Sequence, residues 1–238
     1  MFEKLNLNFF YVGIFIFVMC FTHANASVVV NGTRVIYLGS EKETTVKVSN
    51  AGKSPVLIQS WIDKGEVNDK PENIQVPFIL TPPIGRIDPN KSQTLRLSYT
   101  SSPALPEDRE SVFWLNVLEI PPVTKDMSPN HLQIAFRTRI KLFYRPAALS
   151  DKTKAIKAAK DLRWSFSGNK LTAVNDSPYY VSLVSVKINN NVIDGEMVPP
   201  KGNYAFVVNG KTALNSKTKI SYEFIDDWGA VQTVETSL

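Results

Sequence analysis

Between Leu132 and Arg137 large apolar residues recur at every second position: Leu132, Ile134 and Phe136 on one side, Gln133, Ala135 and Arg137 on the other. A strand turns successive side chains to opposite faces, so this spacing predicts a strand with three large apolar groups on one face. The run continues to Pro146 as a basic and aromatic segment carrying Arg139, Lys141, Phe143, Tyr144 and Arg145. Short apolar or alternating stretches precede it, and the pattern predicts strands at 28–30, 34–37, 44–48, 56–62, 78–80, 92–99 and 112–118. Asn50 to Pro55 and Thr81-Pro82-Pro83 punctuate them as turns. Strands at such short intervals fit an immunoglobulin-like sandwich.

Past Pro146 the pattern changes. Lys152, Lys154, Lys157 and Lys160 surround Ala155, Ile156, Ala158 and Ala159, which predicts a linker and a short helix over 147–160. Its apolar face is small, so a solvated helical turn is expected rather than a membrane-binding helix. Strands resume at 162–166, 170–174, 179–188, 204–208 and 219–225, with Asn209-Gly210 as a hairpin turn. The expectation is an all-β chain of two immunoglobulin-like sandwiches, 27–147 and 148–238, with the boundary near 146–150.

Composition narrows the choice of function. The 238 residues suffice for one large or two modest domains, and 21% charged residues with 43% apolar ones describe a globular chain. Lys4, the apolar run 9–21 and Ala24-Asn25-Ala26 predict a secretory signal over 1–26, cleaved before Ser27. The apolar run is short for a retained anchor, and Met19 argues against lipid attachment at Cys20. Cleavage would remove Cys20, the only cysteine, and leave His131 as the only histidine. That excludes a Cys/His nucleophile, a cysteine-rich metal site and a disulfide framework. The net charge of +5 is spread out, with no dense basic block to hold nucleic acid.

No set of residues makes a persuasive active site, so neither an enzyme nor a cofactor is expected. Gly52-Lys53-Ser54 ends like a phosphate-binding loop, but Lys47 stands where that loop needs its first glycine. Asp226 and Asp227 are adjacent, and neighbours on a strand face opposite ways. His131 lies in a polar loop and reads as a surface residue.

Three blocks point to a family. They are LPEDRESVFWLNVLEIPP over 105–122, IAFRTRIKLFYRP over 134–146, and NDSPYY over 175–180, joined by Asp227-Trp228-Gly229. Together they resemble the PapD-like periplasmic chaperones of the chaperone–usher pilus pathway, across essentially all of the mature chain. The short 123–131 loop and the missing cysteine pair are similar to the short-loop branch. The resemblance implies two sandwiches joined at an angle in a boomerang, and clients that are pilin (fimbrial) subunits lacking their last strand. The chaperone lends a strand until an outer-membrane usher exchanges it. Leu132, Ile134 and Phe136 match the donor positions, Arg34 and Lys141 the cations that hold the subunit's terminal carboxylate, and Glu110, Arg145 and Asp227 an interdomain charge cluster. It further implies no small-molecule substrate, and a free protein open to self-association through its donor strand.

The residues alone read more plainly. By pattern the 132, 134 and 136 face is an ordinary sheet face, and Arg34 and Lys141 are solvated charges more than a hundred positions apart. Strict alternation also puts Lys141 on the face opposite Phe136, so either a bulge intervenes or the cation works from the other side of the strand. Two rivals compete with the chaperone reading. A fimbrial subunit is usually one domain, often with a disulfide; a secreted sandwich enzyme would need a triad, metal set or cofactor loop.

Overall fold

The computed structural model describes residues 27–122, 133–189, 191–208 and 218–238. The signal segment, Leu132, His131 and the Asn209-Gly210 turn lie outside these residues. The first half contains β1 (Val28–Val30), β2 (Arg34–Leu38), β3 (Thr44–Asn50), β4 (Val56–Asp63), β5 (Phe78–Thr81), β6 (Ile84–Ile87), β7 (Ser92–Tyr99), β8 (Ser111–Ile120) and β9 (Phe136–Arg145). They form two sheets, β1-β3-β7-β5 and β2-β9-β8-β4-β6. Every second residue turns inward, as the two-residue period requires. Val46, Val48, Leu95 and Leu97 from one sheet meet Ile58, Ile62, Leu115, Val117 and Leu142 from the other. Tyr37 anchors an aromatic group with Phe78 at 5.6 Å and Tyr144 at 6.0 Å, and its hydroxyl bonds with the Glu41 and Lys42 carbonyls. A buried phenol is thus satisfied.

One pairing departs from the antiparallel rule. β2 lies parallel to β9, from Arg34 opposite Lys141 to Leu38 opposite Arg145. On its other side β9 pairs β8 from Phe136 to Tyr144 in unbroken register. No bulge intervenes, which settles the question left open by alternation. Phe136, Thr138, Ile140, Leu142 and Tyr144 share the inner face; Arg137, Arg139, Lys141, Phe143 and Arg145 share the outer. Burial deepens along the strand, from exposed Phe136 to buried Arg145.

The second half opens with α1 (Lys152–Lys160), followed by β10 (Arg163–Ser167), β11 (Lys170–Asn175), β12 (Val181–Ile188), β13 (Asn191–Asp194), β14 (Met197–Val198), β15 (Gly202–Val207), β16 (Lys219–Ile225) and β17 (Val231–Ser237). Sheet β10-β11-β15 faces sheet β13-β12-β16-β17, with β14 beside β12. Trp164, Leu171, Phe206, Val186, Ile220 and Phe224 fill the space between. The helix differs from the solvated turn that its lysines suggest. Asp151 caps it by accepting from Thr153 N at 2.9 Å. Ala158 and Ala159 are buried, and the Tyr222 hydroxyl donates to the Ala159 carbonyl at 2.8 Å. Two small side chains let the helix lie close against the second core, where burial pushes the Tyr222 phenol up to about 12.

Candidate functional site

Arg34 opens β2 and stands directly beside Lys141 on β9, on the outer face of the sheet. Neighbouring strands lie about 4.8 Å apart, so two cations share one spot. Arg34 Nη1 donates to the Ile225 carbonyl at 2.9 Å, and its guanidinium carbon lies 5.7 Å from the centre of the Phe143 ring. Among the described residues its buried Nε has no partner. Among the described residues Lys141 makes no hydrogen bond or ion pair. Burial lowers the pKa of Arg34 against the pull of Asp227, Asp226 and Glu110. Burial also lowers that of Lys141, assisted by the charge on Arg34 and opposed by Glu196. Two half-buried like charges, with carboxylates nearby but none ion-paired to either among the described residues, favour an incoming anion. A carboxylate there would accept charge-assisted bonds from both groups.

Lys141 also marks a boundary on β9. From Lys141 to Arg145 the strand has β2 on one side; from Phe136 to Ile140 that edge is unpaired among the described residues. Beside this open edge Phe136 is 66% exposed and Ile134, just ahead of the strand, is 54% exposed. Among the described residues neither is packed in the chain's own core.

Glu110, Arg145 and Asp227 come together at the junction of the two sandwiches. Arg145 is 2% exposed. Its Nε donates to Glu110 Oε1 at 2.7 Å, and Nη1 and Nη2 fork onto Asp227 at 2.7 and 2.8 Å. Glu110 Oε2 accepts from Tyr180 N at 2.7 Å, and Glu110 N donates to the Pro178 carbonyl at 2.9 Å. Burial pushes the Glu110 carboxyl up despite Arg145. Burial works against the Arg145 charge, yet Asp227 and Glu110 outweigh it and raise its pKa. Phe143 meets Tyr180 at 5.8 Å, and a Cβ on Gly229 would collide with Thr33 Oγ1. Asp226 is engaged by its own turn instead, accepting from Trp228 N and Ala230 N. The two aspartates therefore form no carboxylate pair.

Sequence reasoning passed over Asp63, which is 2% exposed and paired with Arg139. Only the arginines of the basic run were visible as a signal; nothing near Asp63 marks it as their partner. Among the described residues no group of three His, Cys, Asp or Glu could hold a metal, and no helix is long and apolar enough to cross a membrane.

Comparison with known proteins places this geometry in context. Residues 27–150 match the family model for the pili and flagellar-assembly chaperone, PapD N-terminal domain, and 157–236 that for the pili assembly chaperone PapD, C-terminal domain. The chain is 42% identical over 227 residues to the probable fimbrial chaperone YadV of Escherichia coli K12, covering 90% of this chain and 92% of that protein. It is 43% identical over 224 residues to the chaperone protein FimB/FhaD of Bordetella pertussis, covering 90% and 89%. The crystal structure of the YadV chaperone superposes with a TM-score of 0.74 at 40% identity, over 90% of this chain and 100% of that one. A Salmonella enterica structure of the SafA pilin in complex with the SafB chaperone gives 0.77 at 29% identity, over 91% and 99%.

Proposed function

The chain belongs to the PapD family of pilus-assembly chaperones, and from that premise we propose that it captures pilin subunits in the periplasm, completes their fold with β9 and passes them to an outer-membrane usher. The observation that carries this reading is the coincidence of two features at one point. The open edge of β9 stops where the adjacent cations Arg34 and Lys141 begin.

A subunit whose terminal carboxylate sits on that pair, and whose last strand runs beside 136–140, must run parallel to β9. Its backbone would then satisfy the open edge. Ile134 and Phe136, with Leu132 ahead of them at the family's donor positions, would fill the subunit's groove, each worth roughly 1.5–3 kcal/mol when fully enclosed. The cations would fix the register, because a slip of one residue turns every side chain to the wrong face. Glu110, Arg145 and Asp227 would hold the two sandwiches, 27–147 and 148–238, in one geometry; buried charge clusters are better suited to that than to adding stability. The SafB chaperone, similar over nearly its whole length, was solved holding a pilin. This mode of action is binding throughout, with no catalytic step, cofactor or metal. It also calls for a leader over 1–26 that directs the chain out of the cytoplasm.

Co-expression with secreted subunits tests the reading. Lys141→Ala is expected to abolish recovery of soluble subunit while the chaperone itself stays folded, since losing one partner of a close charge pair costs about 2–5 kcal/mol. Unchanged subunit yield would refute the carboxylate anchor.

A further inference from the structure

The outer face of β9 carries two cations, Arg137 and Arg139, that neither the anchor nor the junction uses. Arg139 belongs to the stretch whose edge is open, yet its guanidinium is held firmly. Nε donates to Asp63 Oδ2 at 3.1 Å and Nη2 to Oδ1 at 2.6 Å. Asp63 closes β4, so this fork reaches over β8 to the next strand but one. On the way the guanidinium lies 4.7 Å from the centre of the Trp114 ring. Asp63 also accepts from Asn116 Nδ2 and from Gly65 N, each at 2.7 Å. Burial opposes its charge, but the bonds from Arg139, Asn116 and Gly65 outweigh it and lower its pKa. Gly65 has a φ of +124° and lies so close to Trp114 that a Cβ would stand 3.2 Å from the ring. Arg137, the next outer position, donates to the Val67 carbonyl at 2.9 Å.

Both outer cations of the open stretch are therefore tied to β4 and the turn behind it. A strand paired on one side only is prone to local opening. If it opened, the cost of ordering its backbone would fall on client capture. A planar, bidentate fork opposes that, because it fixes direction as well as distance. We propose that Asp63 and Arg139 are positioning residues that clamp the open edge of β9 in strand geometry before a client arrives. The inference rests on β9 being the donor strand and adds that its edge is pre-ordered. Neither side chain touches the client groove, since both lie on the face opposite Phe136.

Hydrogen exchange on the full chain tests the clamp, with Asp63→Asn, Arg139→Met and Arg139→Lys beside a distant control, Asp108→Asn. The probe for binding is a synthetic peptide of alternating Val and Thr with a free C-terminus. In Asp63→Asn and Arg139→Met the amides of 136–140 are expected to exchange about tenfold faster, and the peptide to associate about tenfold more slowly. Arg139→Lys, which keeps the charge but loses the fork, falls between, and Asp108→Asn matches wild type. Unchanged exchange at 136–140 overturns the proposal. So does acceleration spread evenly over β3, β4, β7 and β8, which would mark general destabilisation. A wild-type chain that ignores the peptide overturns the donor reading, while the exchange result still decides the clamp.

Discussion

Replacing Phe136 by alanine separates client binding from self-stability. Phe136 is 66% exposed, and an aromatic side chain offers about 200 Å², so roughly 130 Å² stays in water for a client to cover. At ~25 cal/mol per Å² that cover is worth about 3 kcal/mol, of which an alanine methyl retains about 0.8. The net loss of about 2 kcal/mol corresponds to a Kd raised roughly 30-fold. The chaperone's own fold loses only the buried third, about 70 Å² or roughly 1.7 kcal/mol, worth about 3–7 °C in Tm. Equilibrium competition between wild type and Phe136→Ala for a purified subunit reads the first quantity, and calorimetry of the free proteins reads the second. An unchanged Kd refutes the donor role. A fall in Tm far beyond that range shows that the side chain serves its own core instead.

Lys141→Met, which keeps the stem and drops the charge, is expected to leave the free protein more stable at neutral pH, because burial and Arg34 disfavour the protonated amine in the fold. A base whose folded pKa lies below its unfolded value gains stability as pH rises, so the gap to wild type should close as pH approaches 10.5. Urea midpoints across that range check both points, and a destabilised variant at pH 7 contradicts the account. Arg145→Ala strips the counter-charge from the buried Glu110 and should cost about 3–5 kcal/mol. The loss should shrink on acidification, because protonating Glu110 removes the stranded charge; a cost below about 1 kcal/mol by urea unfolding would count against a cooperative junction.

The first sandwich was largely legible because its strands bury one face, so Thr44–Asn50 and Ser92–Tyr99 declare themselves by alternation. Shorter and edge strands carry no such stamp. Ile84–Ile87 holds a glycine and only four residues, and Val231–Ser237 is a mostly exposed edge whose polar residues need no inward partner. The helix misled because its lysines outnumber the two alanines that it buries. The pairing of Arg34 with Lys141 was beyond any local pattern, since a parallel ladder joins segments from opposite ends of the domain. Family resemblance supplied that pair. The Asp63–Arg139 fork had no such help, and only the stacking of β9, β8 and β4 brings it together.

On the proposed reading, one ten-residue strand bears a hydrophobic tooth at Phe136, an anchoring cation at Lys141 and the junction pin at Arg145. Their spacing is odd from the first to each of the others, so the tooth faces one way and both cations the other. Lengthening or shortening the strand by one residue between them would swing the pin out of the junction or the tooth out of the groove. If those roles hold, β9 tolerates exchange of side chains far better than the gain or loss of a single residue between 136 and 145.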